Sequence, residues 1–276
     1  TGGGAPASSR AGGGAVAPPA PRRFVGRDLE LAVLREAFDR TLHGECVVAA
    51  VTGASGLGKS TLVRHFGDLV AEDYGALVLA SRCYERAGEA VALLPDDAHL
   101  LGQAFAALRP VVARGDHAPR SVPVEPREQR ARLFGAAREL FVRLAAQLPL
   151  VLVVDDLQWS DSDGLALLKE VVREPEAPSL LLLTTVRGGR GGAAADALAR
   201  ALRDDTSVVR VEPLGPREAR ELALDVLAAA AARGAAAPPP DVAGLADAIA
   251  EEAAGHPLFI DALARSTLEA RGAAPP

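Results

Sequence analysis

The stretch GASGLGKST, residues 53–61, constrains the fold of this chain more than any other. It follows the apolar, β-branched run ECVVAAVTG and precedes the helical segment LVRHFGDLVAED. Read by position it is Gly53, four residues, Gly58, Lys59 and Ser60, the pattern of a loop that wraps a phosphate. Gly53, Gly56 and Gly58 let the backbone turn with positive φ and bring successive N–H groups close to an anion. A helix starting near Lys59 adds its unpaired N–H groups and the positive end of its dipole at the same point. Lys59 is then the contact to the β- and γ-phosphates, and Ser60 a ligand of Mg²⁺. Ala54, Ser55, Leu57 and Thr61 complete the cradle. A plain Gly/Ser turn is the alternative, but a buried strand before and a helix after form the setting that the phosphate reading requires. Arginine supplies nearly all the basic residues; the only lysines are Lys59 and Lys169. Position 59 is where a compact point charge serves better than a planar fork.

The third apolar segment carries a second piece of chemistry. LPLVLVVDDLQWSDSD, residues 148–163, reads as a buried strand ending in Asp155 and Asp156, which places two carboxylates at the carboxyl edge of a sheet, where open α/β sheets bind ligands. This is a Walker B pattern: Asp155 holds Mg²⁺, usually through water, and Asp156 polarises an attacking water or shares the Mg²⁺ shell. Two aspartates that merely end a strand are the plainer reading. The fourth strand, SLLLLTTVR, ends in Thr184, Thr185 and Arg187. These groups face the γ-phosphate in this reading, with Arg187 donating charge-assisted hydrogen bonds to ATP but not ADP. Trp159, the only tryptophan, falls just beyond the sheet edge, where it anchors the loop on the core and reports on the magnesium site.

Strands are expected at about 46–51, 76–82, 150–155, 180–186 and 208–212, alternating with helices, so the fold class is α/β, a mainly parallel sheet covered on both faces. Asp28 is the expected N-cap of a first helix whose apolar stripe is Leu31, Leu34, Phe38 and Leu42. A helix over 127–148 carries Leu133, Phe134, Ala137, Leu140, Phe141, Leu144 and Leu148 on one face and stops at Pro149. The proline-bearing stretch 84–126, with two short helices, reads as an insertion between the second and third strands. Residues 1–21 and 271–276 have the composition of a flexible linker and a tail. Residues 228–240 read as the end of an alanine-rich helix and then a loop. No repeat of 20–50 residues is visible.

The chain of 276 residues, 49% hydrophobic, can bury one large core or one and a fraction. A formal charge of −6 argues against a dedicated nucleic-acid surface, while local arginine clusters stay open. Cys46 and Cys83, without CxxC spacing, read as small buried residues in a reducing cytoplasm. The scattered histidines offer no zinc ligand set. No apolar run approaches the ~18 residues of a membrane span, and the first residues lack a signal region, so the expected location is cytoplasmic with no membrane partner. With no methionine, not even at position 1, the chain is expected to be a piece of a longer protein.

Six segments in order, FVGRDLELAVLREAF, GASGLGKST, LVLVVDDLQWSDSD, LLLLTTVR, VEPLGPREARELA and GHPLFI, resemble the STAND-class AAA-like ATPase modules. The resemblance covers about residues 22–270. More narrowly, it is to the module that follows a serine/threonine kinase domain in large bacterial signalling proteins and that opens large LuxR-type regulators. It implies a P-loop NTPase core of the ASCE/AAA-like kind over 22–212 and a partial helical lid over 213–270. Val25, Gly26 and Arg27 match the segment that lies near the adenine. Gly255, His256 and Pro257 match the lid turn whose proline packs near the base, although His256 also suits a plain helix cap. Arg187 matches the sensor arginine, so the implied catalytic set is Lys59, Asp156 and Arg187. Mg²⁺ with ATP or ADP is the implied cofactor, and slow hydrolysis in the service of a signalling switch the implied activity. Adjacent signalling domains of the same polypeptide and a second copy of the chain are the implied partners. Winged-helix and repeat segments that usually follow the lid are missing from these residues. A non-hydrolysing assembly scaffold and a DNA-associated initiator-type ATPase are the alternative readings; the acidic charge and the lack of a helix-turn-helix segment count against the second.

Overall fold

A computed structural model describes residues 23–80, 93–115, 125–188, 193–232 and 241–272. Its centre is a parallel sheet of β1 (Val47–Gly53), β2 (Leu77–Leu79), β3 (Leu150–Val154), β4 (Leu180–Arg187) and β5 (Ser207–Arg210) in the order β2-β3-β4-β1-β5. β4 therefore lies between β1 and β3, with Gly53 opposite Arg187 on one side and Val154 opposite Thr184 on the other. The strands fall close to where the apolar runs put them. β2 is the exception, three residues rather than seven.

β1 and β4 are buried almost from end to end because helices cover both faces of a parallel sheet. On one face α1 (Asp28–Leu42) and α2 (Lys59–Tyr74) bring Leu34, Phe38, Leu62 and Phe66 against Ala49, Val51, Leu181 and Leu183. The other face packs Val48, Leu150, Leu180, Leu182 and Val186 beneath α5 (Pro126–Ala145), α6 (Ser162–Val171) and α7 (Ala193–Arg200). Within the expected insertion, α3 (Ala98–Ala104) and α4 (Arg109–Val112) dock on α5 through Leu94, Leu101, Val111, Ala137 and Leu140. The parts of that stretch at 84–92 and 116–124 lie outside the described residues, as do residues 1–22, 233–240 and 273–276 and the expectations placed on them.

Three local expectations change. Asp28 is the first residue of α1 and not its N-cap; that position belongs to Arg27, held left-handed at φ 71° with no side-chain capping bond. Asp28 still stands in the first turn, where a carboxylate meets the positive end of the helix dipole. Leu42 and Leu148 are exposed, the first as the last residue of α1 and the second in the bend between α5 and β3. α5 stops at Ala145, so the last turn before Pro149 is irregular. Cys46 is buried as expected, and burial pushes its thiol up to about 11 against the opposing pull of Arg203. Cys83 lies outside the described residues.

After β5 the chain forms α8 (Pro216–Ala232), α9 (Val242–Glu252) and α10 (Pro257–Gly272). Their apolar faces close on one another: Ala223, Val226 and Leu227 of α8 meet Ala246 and Ile249 of α9 and Ile260, Ala264 and Leu268 of α10. This cluster has its own core, separate from the two that flank the sheet.

Candidate functional site

The loop from Gly53 to Lys59 leaves β1 at the carboxyl edge of the sheet and turns into α2. Gly58 takes the N-cap position of α2 at φ 91°, and nothing lies within 4 Å of where a Cβ would stand. The backbone is thus arranged around open space, with the N–H groups of the first turn of α2 available to an anion. The Lys59 side chain folds back over the loop, and Nζ donates to the carbonyl oxygens of Gly53 at 3.0 Å and Ala54 at 2.9 Å. Burial lowers the pKa of its ammonium; attraction to Asp156 and Asp155 opposes that shift, and repulsion from Arg187 adds to it.

A chain of hydrogen bonds joins this loop to the ends of β3 and β4. Ser60 Oγ donates to Asp155 Oδ1 at 3.0 Å. The same carboxylate oxygen accepts from Thr185 Oγ1, and Thr185 Oγ1 in turn accepts the backbone N–H of Asp156 at 2.8 Å. Asp156 is left-handed, φ 55°, which breaks the strand and starts the short turn 157–159. Gln158 Nε2 donates to Asp156 Oδ1 at 2.8 Å, while Gln158 Oε1 accepts the backbone N–H of Arg187 at 3.0 Å. These bonds bring Ser60, Asp155, Asp156 and the backbone of Arg187 together at one edge, within electrostatic reach of Lys59.

Two readings of this edge are corrected. Thr184 does not face the site: its hydroxyl points at the Ala49 carbonyl within the sheet, because neighbours in a strand point to opposite faces. Thr185, on the other face, points at the aspartates. Trp159 is 76% exposed and anchors nothing; Leu157, 1% exposed, holds that turn on the core.

The donor set fits a hard divalent cation with phosphates beside it. Ser60 and Asp155 offer oxygen alone, and Mg²⁺ keeps several waters and shares its shell with substrate phosphates rather than sitting in a protein cage. No group of three or more His, Cys, Asp or Glu able to hold a metal by itself occurs among the described residues.

The flanking segments reach the same loop. Val25 and Arg27 are buried and Gly26 turns at φ 68°. Arg27 pairs with Glu30 at 2.9 Å and donates to the Leu57 carbonyl at 3.2 Å, so its guanidinium braces the phosphate loop. From α8, Glu218 comes so close to Gly26 that a Cβ there would stand 2.4 Å from its carboxylate; Glu218 also accepts the Gly215 N–H at 2.9 Å. Pro257 opens α10. His256 occupies the N-cap position of that helix, but its side chain does not cap: the Nδ1 atom has no partner, and Nε2 faces the Ser55 carbonyl at 3.0 Å. With Leu258 it covers Gly56 of the loop.

Gln158 and Glu218 were not singled out from the sequence. Glu218 had a signal in GPRE, a glycine three residues before a glutamate with proline between, the reciprocal cap of a helix start. Gln158 had none, since its second partner, Arg187, ends a strand 29 positions further along the chain.

The family described as "AAA ATPase domain" matches residues 23–183. No curated protein matches the chain. Among solved structures, Cdc6p from Pyrobaculum aerophilum is similar with a TM-score of 0.54 at 18% identity, over 93% of this chain and 65% of that one. The ORC1 protein of Aeropyrum pernix, solved in complex with DNA, gives 0.47 at 20% identity over 91% and 61%. Domain III of the replication initiation protein DnaA from Thermotoga maritima gives 0.47 at 14% identity over 92% and 90%. The chain thus spans somewhat less than two thirds of the length of the first two. The parallel sheet flanked by helices is the P-loop NTPase fold of the AAA-like kind.

Proposed function

We propose, on the premise that this chain belongs to the AAA ATPase domain family, that it is an ATP-binding, slowly hydrolysing switch module of a larger bacterial regulatory protein, of the STAND class. The observation that carries the reading is the hydrogen-bonded chain from Ser60 through Asp155, Thr185, Asp156 and Gln158 to Arg187, which ties the phosphate loop to both strand ends that would meet a γ-phosphate.

In this reading the loop's N–H groups and the start of α2 receive the β- and γ-phosphates, and Lys59 leaves the Gly53 and Ala54 carbonyls to follow them. Ser60 and Asp155 hold Mg²⁺, which supplies charge neutralisation between the phosphates when bound. Asp156 orients a water for in-line attack. Arg187 draws toward the γ-phosphate and loses that partner when the phosphate departs. Val25, Gly26 and Arg27 line the base side, α8–α10 act as the lid, and Pro257 packs toward the base. A turnover that is slow beside nucleotide exchange makes occupancy the output. The output acts on neighbouring domains of the polypeptide or on a second copy of the chain. No described helix is long and apolar enough to cross a membrane, and the cytoplasmic placement belongs to the same reading.

Two measurements test it. Trp159, exposed and three residues beyond the Asp156 backbone bend, should emit differently with saturating Mg²⁺-ATP and Mg²⁺-ADP, and Arg187→Ala should make the two spectra alike. Identical spectra from the parent at proven saturation would remove the switch and leave a scaffold. In a turnover assay Asp156→Asn should lower hydrolysis with little change in ATP affinity, because it removes the charge that orients the water and leaves the phosphate loop intact. Asp155→Asn should instead reduce the Mg²⁺ dependence of binding. Parent-like turnover and binding in both variants would refute the aspartate assignments.

A further inference from the structure

Gln158 stands between the two groups that a hydrolysing switch has to coordinate, the carboxylate of Asp156 and the end of β4. Among the described residues its amide is the one side chain seen to bond both, donating to Asp156 Oδ1 at 2.8 Å and accepting from the Arg187 N–H at 3.0 Å. Chemistry fixes the direction of each bond, since an ionised carboxylate only accepts and a backbone N–H only donates. A residue here must offer one donor and one acceptor at the reach of a glutamine. Glutamate has the reach but lacks the donor, and would set a second carboxylate beside Asp156. Alanine supplies neither bond.

The backbone makes this bridge matter. Asp156 is left-handed at φ 55°, and its N–H is held by Thr185, so its backbone is pinned while its carboxylate is directed by Gln158. Arg187 is the last residue of β4, opposite Gly53 of the phosphate loop, and Gly188 N–H donates to the Gly53 carbonyl at 2.9 Å. A displacement of Arg187 therefore moves the acceptor side of the Gln158 amide and, through the same planar group, its donor on Asp156.

We infer that Gln158 is a positioning residue that couples the end of β4, where the γ-phosphate would be sensed, to the orientation of the Asp156 carboxylate. The inference deepens the ATPase reading above and rests on it for the γ-phosphate; the coupling itself does not require turnover. Gln158 touches no reacting atom in this scheme. It decides where Asp156 points in response to Arg187.

The test uses the full chain in three forms: the parent, Gln158→Glu, and the exchange pair Asp156→Asn with Gln158→Glu. In the exchange pair the new asparagine donates to the new glutamate, whose other oxygen still accepts the Arg187 N–H, so both bonds return with one reversed in sense. Amide hydrogen exchange at Arg187 reads the link without nucleotide. It should quicken at least about fivefold in Gln158→Glu, where repulsion from the Asp156 carboxylate drives the new carboxylate off the Arg187 N–H, and return toward the parent rate in the exchange pair. The ratio of ADP to ATP dissociation constants reads the coupling; it should collapse toward one in Gln158→Glu and recover in the exchange pair, which nevertheless lacks the Asp156 carboxylate and should hydrolyse as slowly as Asp156→Asn alone. Parent-like exchange and an unchanged ratio in Gln158→Glu would overturn the inference, as would failure of the exchange pair to restore either quantity. A parent that binds ATP without turning it over would strike hydrolysis from the functional reading, and the Arg187 exchange rate and the affinity ratio would still decide the role of Gln158.

Discussion

Lys59→Ala should weaken binding of Mg²⁺-ATP by about 1.5–3 kcal/mol, the loss expected for a charge-assisted hydrogen bond, which is roughly a tenfold to hundredfold rise in Kd by calorimetry. The protein should remain folded. Lys59 spends its bonds on the carbonyls of Gly53 and Ala54; the first also accepts the Gly188 N–H, and the second belongs to the phosphate loop, where water can replace the ammonium. A denaturation midpoint close to that of the parent combined with lost affinity would assign the lysine to the ligand. Affinity equal to the parent would deny it any part in phosphate binding. Lys59→Arg should fare little better than alanine, because a planar fork cannot occupy the place of a compact ammonium under the same loop.

Gly255→Ala should destabilise the chain by about 3 kcal/mol in chemical denaturation, combining a left-handed backbone with a steric collision. Gly255 sits at φ 71°, and a methyl there would stand 2.1 Å from the Leu214 carbonyl oxygen, which is backbone and cannot swing aside. Leu214 N–H donates to the Gly255 carbonyl at 2.8 Å, so the collision also strains the bond that ties the turn before α10 to the segment leading into α8. Gly44→Ala provides the control: it too is left-handed, at φ 94°, with nothing within 4 Å of the added methyl. It should cost about 1 kcal/mol from backbone strain alone. Equal losses in the two variants would show that the Leu214 contact adds nothing.

The groups that meet at the sheet edge were legible because each carries its signal within a few consecutive residues. The glycines and Lys59 of the phosphate loop, and Asp155 and Asp156 after an unbroken apolar run, announce both their chemistry and the strand that delivers them. Burial on both faces follows once the strands are parallel, whereas the strand order that puts β4 between β1 and β3 had no signal in the sequence. What escaped the sequence depends on which face a side chain takes or on partners far along the chain. Thr184 and Thr185 look equivalent in a string of letters, and only strand alternation separates the one under the sheet from the one on Asp155. The aromatic bulk of Trp159 suggested an anchor, yet the turn places Leu157 inward and the indole outward. Arg27 gave no local hint that it would brace the Leu57 carbonyl, and the amide of Gln158 acquires meaning only when β3 and β4 are side by side. His256 resembled a helix cap, and its ring instead spans about two hundred positions of sequence to meet the Ser55 carbonyl.

The separate core of α8–α10 has a mechanical consequence. Its buried apolar cluster is internal, whereas, Leu258 over Gly56 apart, its ties to the rest of the molecule are mostly polar and point-like: His256 to Ser55, Glu218 against Gly26, and Arg23 to Glu221 at 3.0 Å. A rotation of these helices as one body would break a handful of hydrogen bonds and an exposed ion pair that water can replace, each worth on the order of 1 kcal/mol or less, and would open no hydrophobic interior. The hinge is therefore soft while the parts on either side are stiff. Binding energy of a few kcal/mol, the scale available from one phosphate contact, is enough to choose between its positions.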